Sequence, residues 1–539
     1  MFRHLHKNIL WLLLGLFVVC AIPAIAAPQQ EPMLEVRGRL IDVRLAKAGE
    51  EAFPQYKRHR FGKSLPAAYI GKYYATSLKE FAGPTAVRAK RACKLRLAMS
   101  GAVPDASVWK STGERFNINQ DRFYIYEAAY NTPNEWMELP TAGEGGMTTM
   151  LFGCRLQVAE TVPVPGVVVA RIKKLRSGHI TNPNILICKD GTYLAACSNA
   201  NKRRGTEVYR STDRGQTWQL WSEGYYPLNF FTLFEYQDRL YMLGTWSPAG
   251  HIVICESTDG GQTFSFPEDE FDRGVLFRGP YHSAPMPVVI HEGRIWRSME
   301  TNEPDATRCA CVISAKEGSD LMKTSSWTMS RQLPSDKAWP TKCGGGEFRQ
   351  WIEGCLVKTR EGGLVNVMRV DEHTVGRTAA IITVESPRKV TFDPQTDIIE
   401  MPGGGKKFTI RYDAESDRYW ALVTLADPAS LRMKHGGIYA NGIHAGLTRN
   451  TLTLISSKDL REWREERVVL QSDNPFFDGF QYVDWQFDGE DIVAVIRLAI
   501  EENRGLPTRQ HDANFLSFYR VERFREAGPT EQVKTLNKN

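Results

Sequence analysis

The chain has 539 residues, 42% hydrophobic and 24% charged, with 68 Lys+Arg against 62 Asp+Glu and a formal balance of only +6. This excludes a disordered chain, a collagen-like chain and a disulfide-dense miniprotein. The small cationic excess, with no long basic run, gives no reason to expect a nucleic-acid partner, and the length favours two domains.

Residues Met1–Ala26 read as an export signal. Arg3 and Lys7 supply the positive start, Ile9–Ile22 the apolar stretch and Ala24-Ile25-Ala26 the cleavage site. Cys20 offers a lipoprotein alternative, but Val19 before it is bulky for lipid attachment. The apolar run is short of the roughly 18 residues a span needs, and no later segment is long and apolar enough. The expectation is a secreted or periplasmic protein without a membrane span. Nine cysteines remain after cleavage with no CxxC pair, which argues against a zinc knuckle and leaves disulfide pairing unassigned.

Residues 27–165 contain strand-like pieces without a repeat and predict a smaller β-sandwich-like domain. From Leu34 to about Phe524 short β-branched or alternating runs are separated by turn residues, with no helical periodicity, and residues 166–527 form the second domain. Residues 528–539 read as a flexible tail. The organising feature is an internal repeat: Ser211-Thr212-Asp213-Arg214-Gly215-Gln216-Thr217-Trp218 recurs as Ser257-Thr258-Asp259-Gly260-Gly261-Gln262-Thr263-Phe264. Weaker copies begin at Ser314, Ser386 and Ser457, so successive serines are 46, 57, 72 and 71 residues apart. The aspartate can accept hydrogen bonds from the turn's amides, the glycine takes a positive φ, and the aromatic plugs adjacent sheets, which makes the motif a folding device. Six strand-turn-strand units run in step with it: 184–196, 232–243, 288–297, 356–368, 408–423 and 483–496. The prediction is an all-β chain, a six-bladed β-propeller preceded by the smaller β-domain. Residues 166–174 should close the ring as the outer strand beside 514–523, because closure removes exposed sheet edges.

In such a ring the start of each first strand and the loop joining strands two and three lie on one face. The strand starts offer Asn182 and Asn184, Asn229, His282, Glu353, Lys406 and Lys407, and Tyr482 with Asp484. The loops offer Glu300 and Arg308, Arg369 and Arg377, Arg449 with Asn450, and Arg497, His511 and Asp512. This set is rich in cations, and arginine grips carboxylates through paired hydrogen bonds, so an anionic ligand is expected. Trp351, Trp420, Trp485, Phe476 and Phe477 are aromatic candidates for stacking on sugars, although each also suits a core.

The turn motifs resemble the Asp boxes of the sialidase superfamily. The run Glu353-Gly354-Cys355-Leu356-Val357-Lys358 through Arg369 resembles that family's glutamate and second substrate arginine. Arg449-Asn450-Thr451-Leu452-Thr453-Leu454 is similar to its third-arginine strand, and Gly479-Phe480-Gln481-Tyr482 to the segment bearing its nucleophilic tyrosine. The resemblance spans about residues 166–525. It implies that Tyr482 attacks the anomeric carbon, Glu353 takes its proton, and Arg369 and Arg449 hold a carboxylate. The chain departs from the family at two places. Thr181-Asn182-Pro183 lacks the first arginine, and Cys197-Ser198-Asn199-Ala200-Asn201-Lys202 lacks the acid aspartate. His282, His511 or Asp512 could donate the proton instead.

The expected activity is therefore removal of a terminal acidic sugar, sialic acid or a related uronate or keto-acid sugar, from a glycan. Catalytic candidates are Tyr482, Glu353, His282, His511 and Asp512. Substrate-binding candidates are Arg369, Arg449, Lys407, Asp484, Arg377 and Asn184. No cofactor or catalytic metal is implied. A uronate lyase, a non-catalytic glycan-binding propeller and a protein-interaction scaffold are the rivals.

Overall fold

The structure, a computed structural model, describes residues 32–37, 41–50, 52, 60–76, 85–101, 103–140, 150–156, 164–172, 178–199, 205–224, 228–265, 273–303, 307–342, 346–372, 376–434, 442–502, 507, 509–526 and 528–533. The export segment lies outside them. Among the described residues no helix is long and apolar enough to cross a membrane.

The chain is all-β, a six-bladed propeller preceded by a smaller β-domain. In the smaller domain, a four-stranded sheet (Met33–Arg37, Thr85–Ala89, Met137–Leu139, Arg155–Leu156) faces a six-stranded one. Strand alternation makes the core: Leu95, Leu97, Tyr126 and Tyr130 of the larger sheet meet Leu34 and Val87 of the smaller. The alternate residues Phe116, Phe123, Ile125 and Phe152 bury the opposite face under Phe61, Leu65 and Tyr69.

Each predicted strand-turn-strand unit opens one blade. Blade 1 is Thr181–Ile187, Tyr193–Asn199, Gly205–Ser211 and Gln219–Gly224; blade 2 is Asn229–Tyr236, Arg239–Thr245, Gly250–Ser257 and Val275–His282. Blade 3 is Val289–His291, Arg294–Thr301, Cys309–Lys316 and Trp327–Met329; blade 4 is Gln350–Lys358, Leu364–Asp371, Thr378–Ser386 and Lys389–Thr391. Blade 5 is Thr409–Asp413, Arg418–Leu425, Thr451–Ser457 and Trp463–Ser472, and blade 6 is Gly479–Asp488, Asp491–Ala499, Phe515–Val521 and Val167–Arg171. Val167–Arg171, from before blade 1, pairs antiparallel with Phe515–Val521 and closes the ring. Residues 528–533 do not form a loose tail: Glu531–Val533 runs parallel to Leu470–Ser472, because the outer edge of blade 5 offers it unpaired backbone groups.

The repeat turns behave as hydrogen-bonded clips. Ser211 Oγ donates to Asp213 (2.7 Å) and accepts the Gly215 N–H (2.9 Å), while Asp213 accepts the Thr217 N–H (2.9 Å). Ser257, Asp259, Gly261 and Thr263 repeat the pattern at 2.8, 2.9 and 2.9 Å. At Ser457–Asp459 the aspartate accepts the Arg461 and Glu462 amides, and Leu460 rather than glycine takes the positive φ of 65°. Trp218 packs on Phe518 of blade 6 with ring centroids 5.4 Å apart.

The six first strands line the axis with one edge unpaired, so their inward N–H and C=O groups need partners. Side chains of neighbouring blades provide them at every junction. Asn184 donates to Phe231 O and accepts the Leu233 N–H, both at 3.1 Å. Arg297 donates to Phe230 O and Ala284 O, both at 2.7 Å. Glu300 accepts the Gly354 N–H (3.1 Å), and Cys355 Sγ the Ile410 N–H (3.4 Å). Lys407 Nζ donates to Val483 O (2.7 Å) and Arg411 Nε to Trp485 O (2.6 Å); Asp484 accepts the Ile185 N–H (2.9 Å). Asn184→Ala should therefore lower stability by about 1–3 kcal/mol, the cost of a buried amide and carbonyl left without partners. A urea midpoint shift at unchanged slope measures it; a change below about 0.5 kcal/mol would show that water replaces the tie.

Candidate active site

Four first strands break their ladder at the same place. The register slips between Thr181 and Asn184, Asn229 and Thr232, Ile352 and Cys355, and Gln481 and Asp484. Within each slip one non-glycine residue is left-handed: Asn182 (φ 53°), Phe230 (53°), Glu353 (59°) and Tyr482 (54°). Such a conformation costs about 1–3 kcal/mol and re-aims the side chain it carries. At Glu353 the following residue must be small. A Cβ on Gly354 would lie 2.4 Å from Asn366 Oδ1 and Met368 Sδ and 2.5 Å from Ser298 Oγ.

The bulges bring Tyr482 of blade 6 and Glu353 of blade 4 into contact, with the phenol Oη donating to Glu353 Oε1 at 2.7 Å. Arg369 of blade 4 donates through one guanidinium nitrogen to Glu353 Oε2 at 2.5 Å and through Nε to Gly405 O at 2.9 Å. Arg449 and Arg497 stand over the Tyr482 ring, 5.8 and 5.0 Å from its centroid. Gln481 positions Arg449, accepting from it at 2.7 Å while donating to Gln510 O at 2.6 Å. Both outer arginines are buried, and the Nε of each has no hydrogen-bond partner.

Burial would raise the Glu353 carboxyl, but Arg369, His282 and the Tyr482 hydrogen bond outweigh it and hold the group below the ordinary carboxylate range. Burial and Glu353 push the Tyr482 phenol up, against the pull of the three arginines. The resting pair is thus a neutral phenol on a carboxylate. Burial lowers Arg449 to about 10, still charged at neutral pH.

His511 Nδ1 lies 2.8 Å from Asp512 Oδ1, and its carbonyl accepts from Arg497 (2.7 Å). Desolvation, with Arg497 and Arg449 adding to it, lowers His511 to about 4. At neutral pH the imidazole is therefore uncharged in the resting site. His282 Nδ1 lies 2.9 Å from Glu300, the carboxylate that also holds the Gly354 amide. His179, His511 and Asp512 bring one ligand atom each within 4.8 Å of one another, a metal-sized arrangement. Arg497, beside His511, and Arg509, 3.3 Å from Asp512, both oppose a cation there.

Four candidates belong elsewhere. Asn184, Lys407 and Asp484 are junction ties: Asn184 and Asp484 stand just past a bulge and Lys407 just before the first strand of blade 5, and each meets a backbone group of the next blade. Arg377 pairs with Glu400 (3.0 Å) and Glu465 (3.1 Å), bridging blades 4 and 5. The five aromatics proposed as sugar platforms are each under 5% exposed and serve as core. Sequence reasoning gave no role to Gln481 or His179 and left Arg497 outside the assigned ligand set. The cation-rich loop pattern was the one signal for Arg497.

Lys406 is fully buried, its Nζ without a partner, near Arg449, Arg369 and Glu372. Burial, with the two arginines, lowers it to about 7. The unfolded lysine titrates near 10.5, so below about pH 7 the folded chain carries the full cost of a buried charge, and that cost fades as pH rises toward 10. Lys406→Met should raise the melting temperature at pH 6 and have little effect at pH 10; an equal shift at both would mean that packing, not charge, governs the site.

No protein-family profile matches the chain, and no curated protein matches it. Among solved structures, it is similar to an α-L-arabinanase from Penicillium chrysogenum complexed with arabinobiose, at 14% identity and a TM-score of 0.42 over 68% of this chain and 100% of that one. A Hadza microbial sialidase gives 12% and 0.43 over 92% and 100%. The Trypanosoma rangeli sialidase in complex with sialic acid gives 13% and 0.40 over 67% and 58%. At these scores the likeness adds no weight to the site, which stands on its own side chains.

Proposed function

We propose that the chain is an exported, sialidase-like glycoside hydrolase that removes a terminal acidic sugar from a glycan. The observation that carries this is the 2.7 Å hydrogen bond from Tyr482 to Glu353 inside a ring formed by Arg369, Arg449 and Arg497.

The chemistry follows from the charges. A phenol, with an unperturbed pKa near 10, needs a base to become a nucleophile, and Glu353 is in contact and ionised. As Tyr482 Oη bonds to the anomeric carbon, its proton passes to Glu353 and the glycosidic bond breaks. The leaving oxygen takes a proton from a donor on the other side of the sugar. His282, His511 and Asp512 are the candidates. The donor, now deprotonated, then takes a proton from water as the water oxygen bonds to the anomeric carbon and the tyrosyl–sugar bond breaks, with Glu353 returning its proton to Tyr482, so the anomeric configuration is retained. A neutral nucleophile avoids the repulsion an anionic one would meet from a carboxylate-bearing sugar. The unpartnered Nε groups of Arg449 and Arg497 are the donors such an anion would engage.

The test is purified protein against a panel of acidic glycans, recording both free sugar and ultraviolet absorbance. Released saturated sugar supports the hydrolase. An unsaturated, absorbing product would assign the uronate lyase, and binding without turnover the non-catalytic propeller.

A further inference from the structure

The smaller domain carries a cavity of about 850 Å³, bounded by the turn joining Thr85–Ala89 to Cys93–Met99, the stretch from Ala68 to Lys72, and Met33. Five basic side chains line it, Lys72, Lys90, Arg91, Lys94 and Arg96, and no acidic one does. The whole chain has a formal excess of only +6, so this concentration is not a sample of the average surface. Glu127 pairs with Lys94 (2.7 Å) and Arg96 (3.2 Å) and offsets one charge. Among the described residues Lys72, Lys90 and Arg91 form no ion pair, and all three are exposed. Like charges crowded in a concave wall raise the local potential and the local concentration of an anion.

We infer that this cleft binds a stretch of polyanionic polysaccharide, a chain bearing carboxylates or sulfates, separately from the propeller mouth. Its volume lies in the range of about 300–1,000 Å³ usual for ligand sites. A bilayer is flat and does not enter such a concavity. Single-stranded nucleic acid requires exposed rings for its bases, and the lining aromatics Tyr69 and Phe152 are each 2% exposed. An extended acidic glycan needs neither, since cations spaced along the wall meet charges spaced along the chain. The cleft would hold a polymer while the propeller works on its ends, but binding in the cleft does not depend on the propeller's chemistry.

The experiment is calorimetry on the full-length protein with polygalacturonate and with heparin oligosaccharides, and with neutral dextran, single-stranded DNA and phosphatidylserine vesicles as comparisons. Binding of at least one polysaccharide polyanion is expected, weakening as salt rises, with dextran inert. Lys72→Glu/Lys90→Glu/Arg91→Glu should reduce the affinity at least tenfold while the melting temperature stays within a few degrees. Should the charge-reversed protein lose its fold, the Lys72→Gln/Lys90→Gln/Arg91→Gln version is expected to show the same direction with a smaller loss. Failure of both polysaccharides to bind, unchanged affinity in a folded variant, or tighter binding of DNA or vesicles than of either polysaccharide would each overturn the assignment.

Discussion

Tyr482→Phe is expected to keep the fold and lower turnover on the order of 10⁴-fold or more, the scale on which removal of a nucleophile acts. The fold should survive because the equivalent bulge of blade 2 already holds a phenylalanine, Phe230, at φ 53° against 54° for Tyr482. The aromatic ring, and with it the contacts to Arg449 and Arg497, is retained, and Glu353 keeps its pairing with Arg369. Only the hydroxyl that donates to Glu353 is lost. Acidic-sugar affinity should therefore change far less than turnover. Turnover above a tenth of the parent's would remove Tyr482 from the chemistry and end the tyrosine-nucleophile mechanism.

Arg369→Ala and Arg449→Ala should each weaken the acidic ligand by about 2–5 kcal/mol, the cost of truncating one partner of a buried charge pair. Their pH profiles should differ, and that difference makes the pair informative. Arg369 is the strongest electrostatic opponent of burial at Glu353, so its removal lets burial raise the carboxyl. The base is lost as pH falls through its pKa, so the acid limb of the rate profile should move to higher pH in Arg369→Ala. Arg449 makes its hydrogen bond to Gln481, not to Glu353, and its variant should lose affinity with a smaller displacement of that limb. Lysine at Arg449 should restore affinity only in part, since an ammonium lacks the flat fork that spans a carboxylate. Unchanged affinity for acidic ligand in both alanine variants would end the anionic-substrate argument.

Much of the architecture could be read from spacing. The serine–aspartate–glycine turns specify their own local hydrogen bonds, so they are visible wherever the residues occur, and their intervals count blades. The choice of Tyr482, Glu353, Arg369 and Arg449 came from position within that repeat plus family resemblance, and the structure gathers all four. Asn184, Lys407, Asp484 and Arg377 were chosen by the same positional filter and lie elsewhere. Whether a polar side chain near a strand start faces the mouth or a neighbour's unpaired amide turns on a one-residue ladder slip, which no side-chain pattern announces. Arg497 was read as one more rim cation, since its approach to Tyr482 exists only once the second strand of blade 6 is paired.

Local chemistry along the chain determined the strands, the clip turns, the number of blades and the kinds of residue available to the mouth, because those depend on neighbours within a few positions. The closed ring decided which of those residues meet. It set the left-handed twist at Glu353 and Tyr482, the neutral state of His511 and the displaced proton equilibrium of Lys406, while the packing of the smaller domain's own strands set its basic cleft. Each of these depends on burial and on charges brought together from distant parts of the chain, and such fields arise only when the sheets have packed.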